Sequence, residues 1–119
     1  ILFFDIETVP LEYNFKNLDE KGQGLWDRQT RFIQERENIN AEEAYDKAGI
    51  YAEFGKVVCI SMGFILQKDG ETQIRLKSIA NKDESVLLQE FIDLINNCVN
   101  SPYFMFCSHN GKDFDIPFL

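Results

Sequence analysis

The sequence predicts an α/β fold, a mixed β-sheet with flanking helices, on three observations. The chain opens on a strand-like apolar run, ILFFDIETVP. Two long apolar and β-branched segments are joined by Asp69-Gly70. A helical recurrence of Leu87, Leu88, Phe91, Ile92 and Ile95 then leads to another apolar stretch, YFMFCS. Strand, hairpin, helix and strand in that order require a sheet with both antiparallel and parallel neighbours and one crossover helix.

Residues 1–7 read as a buried strand. Pro10 ends it, because proline offers no N–H for pairing and restricts the residue before it. The apolar run Ile1–Phe4 is what a strand covered on both faces would carry. From Leu11 to Phe54 the chain turns polar, acidic and rich in helix formers, and residues 11–54 are expected to be a helical insertion. WDRQTRFIQERE and AEEAYDKAG read as two short helices, with Gly22 and Gly24 loosening the first part, Asn40 as an N-cap and Gly49 as a stop. KVVCISMGFILQ, the turn KDGE and TQIRLKSIA form a hairpin. Asn81 to Glu84 has the form of a capping box, and the helix it opens packs on the sheet to about Val99. Ser101-Pro102 breaks that helix, YFMFCS supplies a fourth strand, and HNGKDFDIPFL is a turn leading into a helix whose first turn accommodates Pro117.

At 119 residues the chain is one domain or most of one, 1–119. Both ends, Ile1 and Leu119, read as cuts, so the domain is expected to be incomplete at its C-terminus. The composition, 45% apolar and 27% charged, is that of a globular protein, and no apolar stretch is long enough to cross a bilayer. Three cysteines, Cys59, Cys98 and Cys107, lack CxxC spacing and sit in apolar contexts. They read as buried packing thiols in a reducing, cytoplasmic setting. A formal net charge of −8 argues against a broad electrostatic footprint on duplex nucleic acid, so any such role is local.

Asp5 and Glu7 are the anomaly of the first strand. Residues two apart project from one face, about 7 Å from each other along the strand. Two like charges there are harmless on a solvent face. Under cover they cost several kcal/mol of desolvation, roughly, unless a cation lies between them. Mg²⁺ and Mn²⁺ prefer oxygen ligands, and Mg²⁺ borrows waters and phosphate oxygens, so two carboxylates and one or two more suffice. HNGKDFDIPFL offers the next. Phe114 and the Pro117-Phe118-Leu119 run look like packing residues that orient Asp115 better than its rival Asp113, which lies nearer the loop tip.

FDIET, followed after a strand by the element N-x3-F-D, resembles the first and second motifs of the DEDD 3′–5′ exonucleases. EFGKVVCIS and HNGKDFDIPFL are most similar to the branch related to the proofreading domain of family B DNA polymerases. The resemblance covers the chain outside residues 11–50. It implies a ribonuclease H-like fold, two Mg²⁺ or Mn²⁺ ions held by Asp5, Glu7 and Asp115, and hydrolysis at the 3′ end of single-stranded DNA or RNA. It places Thr8 near the terminal nucleotide and Asn110 at the substrate or holding the turn. Phe114, Phe118 or Tyr13 would stack on a base or serve as core. The family's third motif, Tyr or His four residues before a final Asp, has no counterpart up to Leu119, and catalysis by this stretch alone is expected to be poor. His109 reads as a structural residue at a strand end or a proton carrier, and Lys112 as a phosphate contact or a solvated charge. The acidic run at 35–46 reads as a solvated helix face or a protein-partner surface. The competing readings are a non-catalytic nucleic-acid-binding or interaction domain, and a ribonuclease or small-nucleotide hydrolase of the same fold.

Overall fold

In the computed structural model, which describes residues 1–98 and 104–119, the chain is a mixed α/β protein that divides into two compact units. One comprises Ile1–Thr8 and Val57–Leu119, the other Val9–Lys56. The first holds the greater part of a four-stranded sheet in the order β3-β2-β1-β4, from β1 (Leu2–Pro10), β2 (Gly55–Lys68), β3 (Glu71–Ala80) and β4 (Phe106–Cys107). The strand β4 runs parallel to β1, whereas β2 and β3 are antiparallel, so the sheet is mixed as expected. Asp69 and Gly70 form the two-residue hairpin turn with φ of 55° and 81°, the left-handed pair that matches the twist of the flanking strands.

Alternation along β1 decides which face is core. Leu2, Phe4 and Ile6 are buried with Val57, Ile60 and Met62 of β2, Ile79 of β3, and Leu87 and Phe91 of the helix α3 (Glu84–Cys98). The odd residues Phe3, Asp5 and Glu7 are exposed, Phe3 to 40%. The expectation of a first strand covered on both faces is therefore corrected. Among the described residues α3 packs on the even face, and the odd face is open.

The start of α3 also differs from expectation. Asp83, not Asn81, is the cap: its Oδ1 accepts from Ser85 N at 2.9 Å and Val86 N at 3.4 Å. Asn81 instead accepts from Asp83 N. Glu84 does not reach back to close a capping box, because its Oε1 accepts from Val57 N at 2.6 Å and ties the helix to β2. Cys59 is half-buried, but Cys98 and Cys107 are exposed, so only the first fits a packing thiol. The fourth strand is shorter than YFMFCS, with two residues paired, Phe106 and Cys107, opposite Leu2 and Phe3. Val99, Ser101, Pro102 and Tyr103 lie outside the described residues.

The insertion expected at 11–54 corresponds to the second unit, and it has a core of its own. The helix α1 (Glu20–Glu37) is 18 residues long and includes Gly22 and Gly24, which do not loosen it. Gly22 is useful there. Its N–H meets the N-cap Asp19 Oδ1 at 2.7 Å, and a Cβ on it would lie 2.9 Å from that same oxygen. Asn38 ends α1 in the left-handed conformation. Asn40 and Glu43 then form the capping box of α2 (Ala41–Ala44), followed by a 3-10 helix, Tyr45–Ile50, that contains Gly49 rather than stopping before it. The Trp26 ring packs edge-on against Tyr45, Tyr51 and Phe54 at 5.0–5.2 Å, and its Nε1 donates to Ala41 O at 2.8 Å.

Trp26→Ala removes the centre of that ring cluster and is expected to cost about 3–5 kcal/mol in the second unit, as read by urea unfolding. A pH effect follows from the same unit. Lys47, with Arg36, holds the exposed Glu37 carboxyl below the usual glutamate range. A carboxylate depressed in the folded state stabilises above its unfolded pKa, and that contribution is lost as pH falls through the folded value. An NMR titration should find Glu37 titrating low, and Lys47→Met should move it upward.

Candidate functional site

The parallel ladder between β1 and β4 is short, and this sets the site. Successive N–H groups of a strand point to opposite edges, so those of Leu2, Phe4 and Ile6 share one edge. Leu2 N donates to Met105 O at 2.8 Å, and the last paired residues are Phe3 and Cys107. β4 then ends, and Ile6 N finds no strand carbonyl. The Asp115 side chain takes that place: its Oδ1 accepts from Ile6 N at 3.1 Å across 109 residues of sequence. A buried donor left open there would cost about 1–3 kcal/mol.

The loop between β4 and Asp115 is folded to deliver this contact. Asn110 adopts φ of 55°, a left-handed conformation that asparagine tolerates, and its carbonyl accepts from Asp113 N and Phe114 N at 3.0 and 3.1 Å. Gly111 is buried against Ser108, whose side chain a Cβ at Gly111 would overlap, and that Cβ would lie 3.6 Å from Asp115 Oδ2. Its carbonyl accepts from Ile116 N at 2.8 Å, opening the short helix α4 (Asp115–Phe118). Phe114 and Phe118, edge to face at 5.6 Å, pack on the sheet core.

Asp115 is consequently 1% exposed, with one oxygen bonded and the other, Oδ2, buried without a hydrogen-bond partner. A carboxylate oxygen in that position ordinarily has a donor or a cation. Asp113 lies exposed on the loop, which separates the two rivals. Asp5 and Glu7 flank Ile6 in sequence and project from the odd face of β1, whereas Asp115 meets the strand at its edge through the Ile6 amide. Among the described residues, however, no three His, Cys, Asp or Glu side chains form a ready-made metal cluster.

The remaining expected residues fall as follows. Thr8 is half-buried at the end of the first-unit part of β1. Asn110 holds the turn through its backbone, with its side chain exposed, and Phe114 is a core residue. Lys112 is exposed, and Tyr13 belongs to the other unit. His109 is exposed at the rim of an open cavity of about 620 Å³ on the odd face, lined among others by Phe3, Asp5, Ser61, Leu76 and Ser78. Ser61 and Ser78 are cross-strand partners with Oγ atoms 3.0 Å apart, a pairing whose only sequence signal is the register of the hairpin.

Comparisons with protein-family profiles, with curated proteins and with solved structures returned no match.

Asp115→Ala should destabilise the first unit by about 1–3 kcal/mol and speed hydrogen exchange at the Ile6 amide, whereas Asp115→Asn retains an acceptor and should leave both near the parent values.

Proposed function

We propose that the protein is a metal-dependent 3′–5′ exonuclease with a ribonuclease H-like fold, acting on the 3′ end of single-stranded nucleic acid, with Asp5, Glu7 and Asp115 as the carboxylates of the site. The observation that carries this reading is the buried, unpartnered Oδ2 of Asp115 beside the strand that bears Asp5 and Glu7. A hard dication suits such an oxygen. The donor set is all carboxylate, as Mg²⁺ and Mn²⁺ prefer, and the open odd face admits the waters and phosphate oxygens that complete their shells.

Bound there, two dications would supply Lewis-acid charge for the scissile phosphate and for the acidification of a water. The chain's own contribution is positioning. The hydrogen bond from Ile6 N fixes the Asp115 carboxyl in one rotamer, and burial removes competing water from it. Asp5 and Glu7 are fixed to a common face by the pleat of β1. The charge balance fits an anionic substrate: three carboxylates leave two dications with surplus positive charge, so a phosphodiester is attracted locally in spite of the formal −8 of the whole chain. Short single strands suit this arrangement better than duplexes, since a long basic groove is not needed.

The test is an assay on a 5′-labelled single strand with Mn²⁺ or Mg²⁺, run beside a thermal titration with Mn²⁺. The expected result is slow shortening from the 3′ end, lost in Asp5→Ala, and a melting temperature that rises with millimolar Mn²⁺ in the parent but not in Asp5→Ala or Asp115→Asn. Shortening that survives Asp5→Ala undiminished would overturn the reading.

A further inference from the structure

A second feature of the first unit, independent of the carboxylates, is an edge of the sheet that is free among the described residues. β3 is the terminal strand in the order β3-β2-β1-β4 and is ten residues long. In a two-residue hairpin the residues flanking the turn, here Lys68 and Glu71, exchange the first pair of backbone hydrogen bonds. The odd residues of β3 are therefore bonded to β2, and the N–H and C=O groups of Thr72, Ile74, Leu76 and Ser78 point to the open edge. The same even residues carry unusual apolar exposure. Ile74 is 67% and Leu76 80% exposed, and Ile65, across from Ile74 on β2, is 53% exposed. A long edge strand with exposed apolar side chains is a template for another strand.

The sequence of β3 specifies which strand. Pairing β3 antiparallel with β3 of a second copy about Ile74 sets Ile74 opposite its own equivalent and Thr72 opposite Leu76. These are all even residues, whose free groups then exchange about six backbone hydrogen bonds. On the other face the same register sets Glu71 opposite Lys77, twice by symmetry, and Gln73 opposite Arg75. Lys77 already meets Glu90 of α3 at 3.0 Å from an exposed position, and its three ammonium hydrogens allow both contacts. Sliding the copies toward the strand end opposes Arg75 with Arg75, and further on Arg75 with Lys77; sliding toward the turn pairs fewer strand residues. Charge disfavours the registers on one side and the number of paired residues those on the other, which leaves one. We propose that the β3 edge is a self-association surface, joining two copies of this chain about a two-fold axis at Ile74 into one continuous sheet. The operation uses the β3 edge of both copies and so closes at the dimer.

Sedimentation equilibrium of the 119-residue chain tests this. About six backbone hydrogen bonds and two ion pairs would make a small interface, so half-dimerisation is expected at roughly 10–100 µM. Glu71→Lys replaces both attractive cross-strand pairs by repulsive ones and should weaken dimerisation about tenfold, and the swap Glu71→Lys with Lys77→Glu should restore it to within about threefold of the parent. Ile74→Pro removes an outward N–H that β2 does not use and should leave a folded monomer by circular dichroism. A chain that stays monomeric to about 500 µM, a dimer indifferent to Glu71→Lys, or open-ended assembly would each overturn the proposal.

Discussion

The hydrogen bond from the Ile6 amide to the Asp115 carboxylate is the constraint on which the rest of the first unit turns. β1 outlasts its parallel neighbour β4, and a strand edge inside a core cannot leave a donor unpaired. The remedy comes from a side chain 109 residues away, delivered by a loop that depends on left-handed Asn110 and on the missing side chain of Gly111. Anchoring one oxygen leaves the other fixed as well. Asp115 Oδ2 is buried and unpartnered because the backbone contact determines where it must lie. The proposed metal role of Asp115 rests on this oxygen, which structural need already holds in place.

Under the proposed function, this placement would reconcile an acidic chain with an anionic substrate. Long-range steering works against nucleic acid at a formal −8, but electrostatics at contact distance are set by the few groups at hand. The odd face is open, with its cavity beside Asp5, while α3 and the even-face core back β1 on the other side.

The parts of the fold legible in sequence were those fixed by local chemistry. Asp69-Gly70 dictates its turn, Asn40 and Glu43 their capping box, and Leu87 and Phe91 the buried stripe of α3, because each depends on residues within a few positions. Tertiary competition decided the rest. Glu84 fits a capping box by spacing, yet the Val57 amide claims its carboxylate. Gly22 and Gly24 weaken a helix in isolation, but the Asp19 cap and the Trp26 cluster hold it. The core of the second unit escaped notice because its aromatics, Trp26, Tyr45 and Phe54, are spread through a polar stretch without a single periodicity. At the candidate site, Asp115 was preferred to Asp113 from the packing residues around it. The bond to Ile6 follows from the length of β4, in which two of the residues of YFMFCS are paired among the described residues, a length that sequence does not reveal.

Where a dication settles on the protein tests the proposed site most directly. Substoichiometric Mn²⁺ added to isotopically labelled protein broadens amide signals according to their distance from the ion. Broadening centred on residues 5–7 and 111–115, and abolished by Asp115→Asn, is the expected result. Broadening confined to the acidic surface of residues 35–46, with the Ile6 amide untouched, would contradict it.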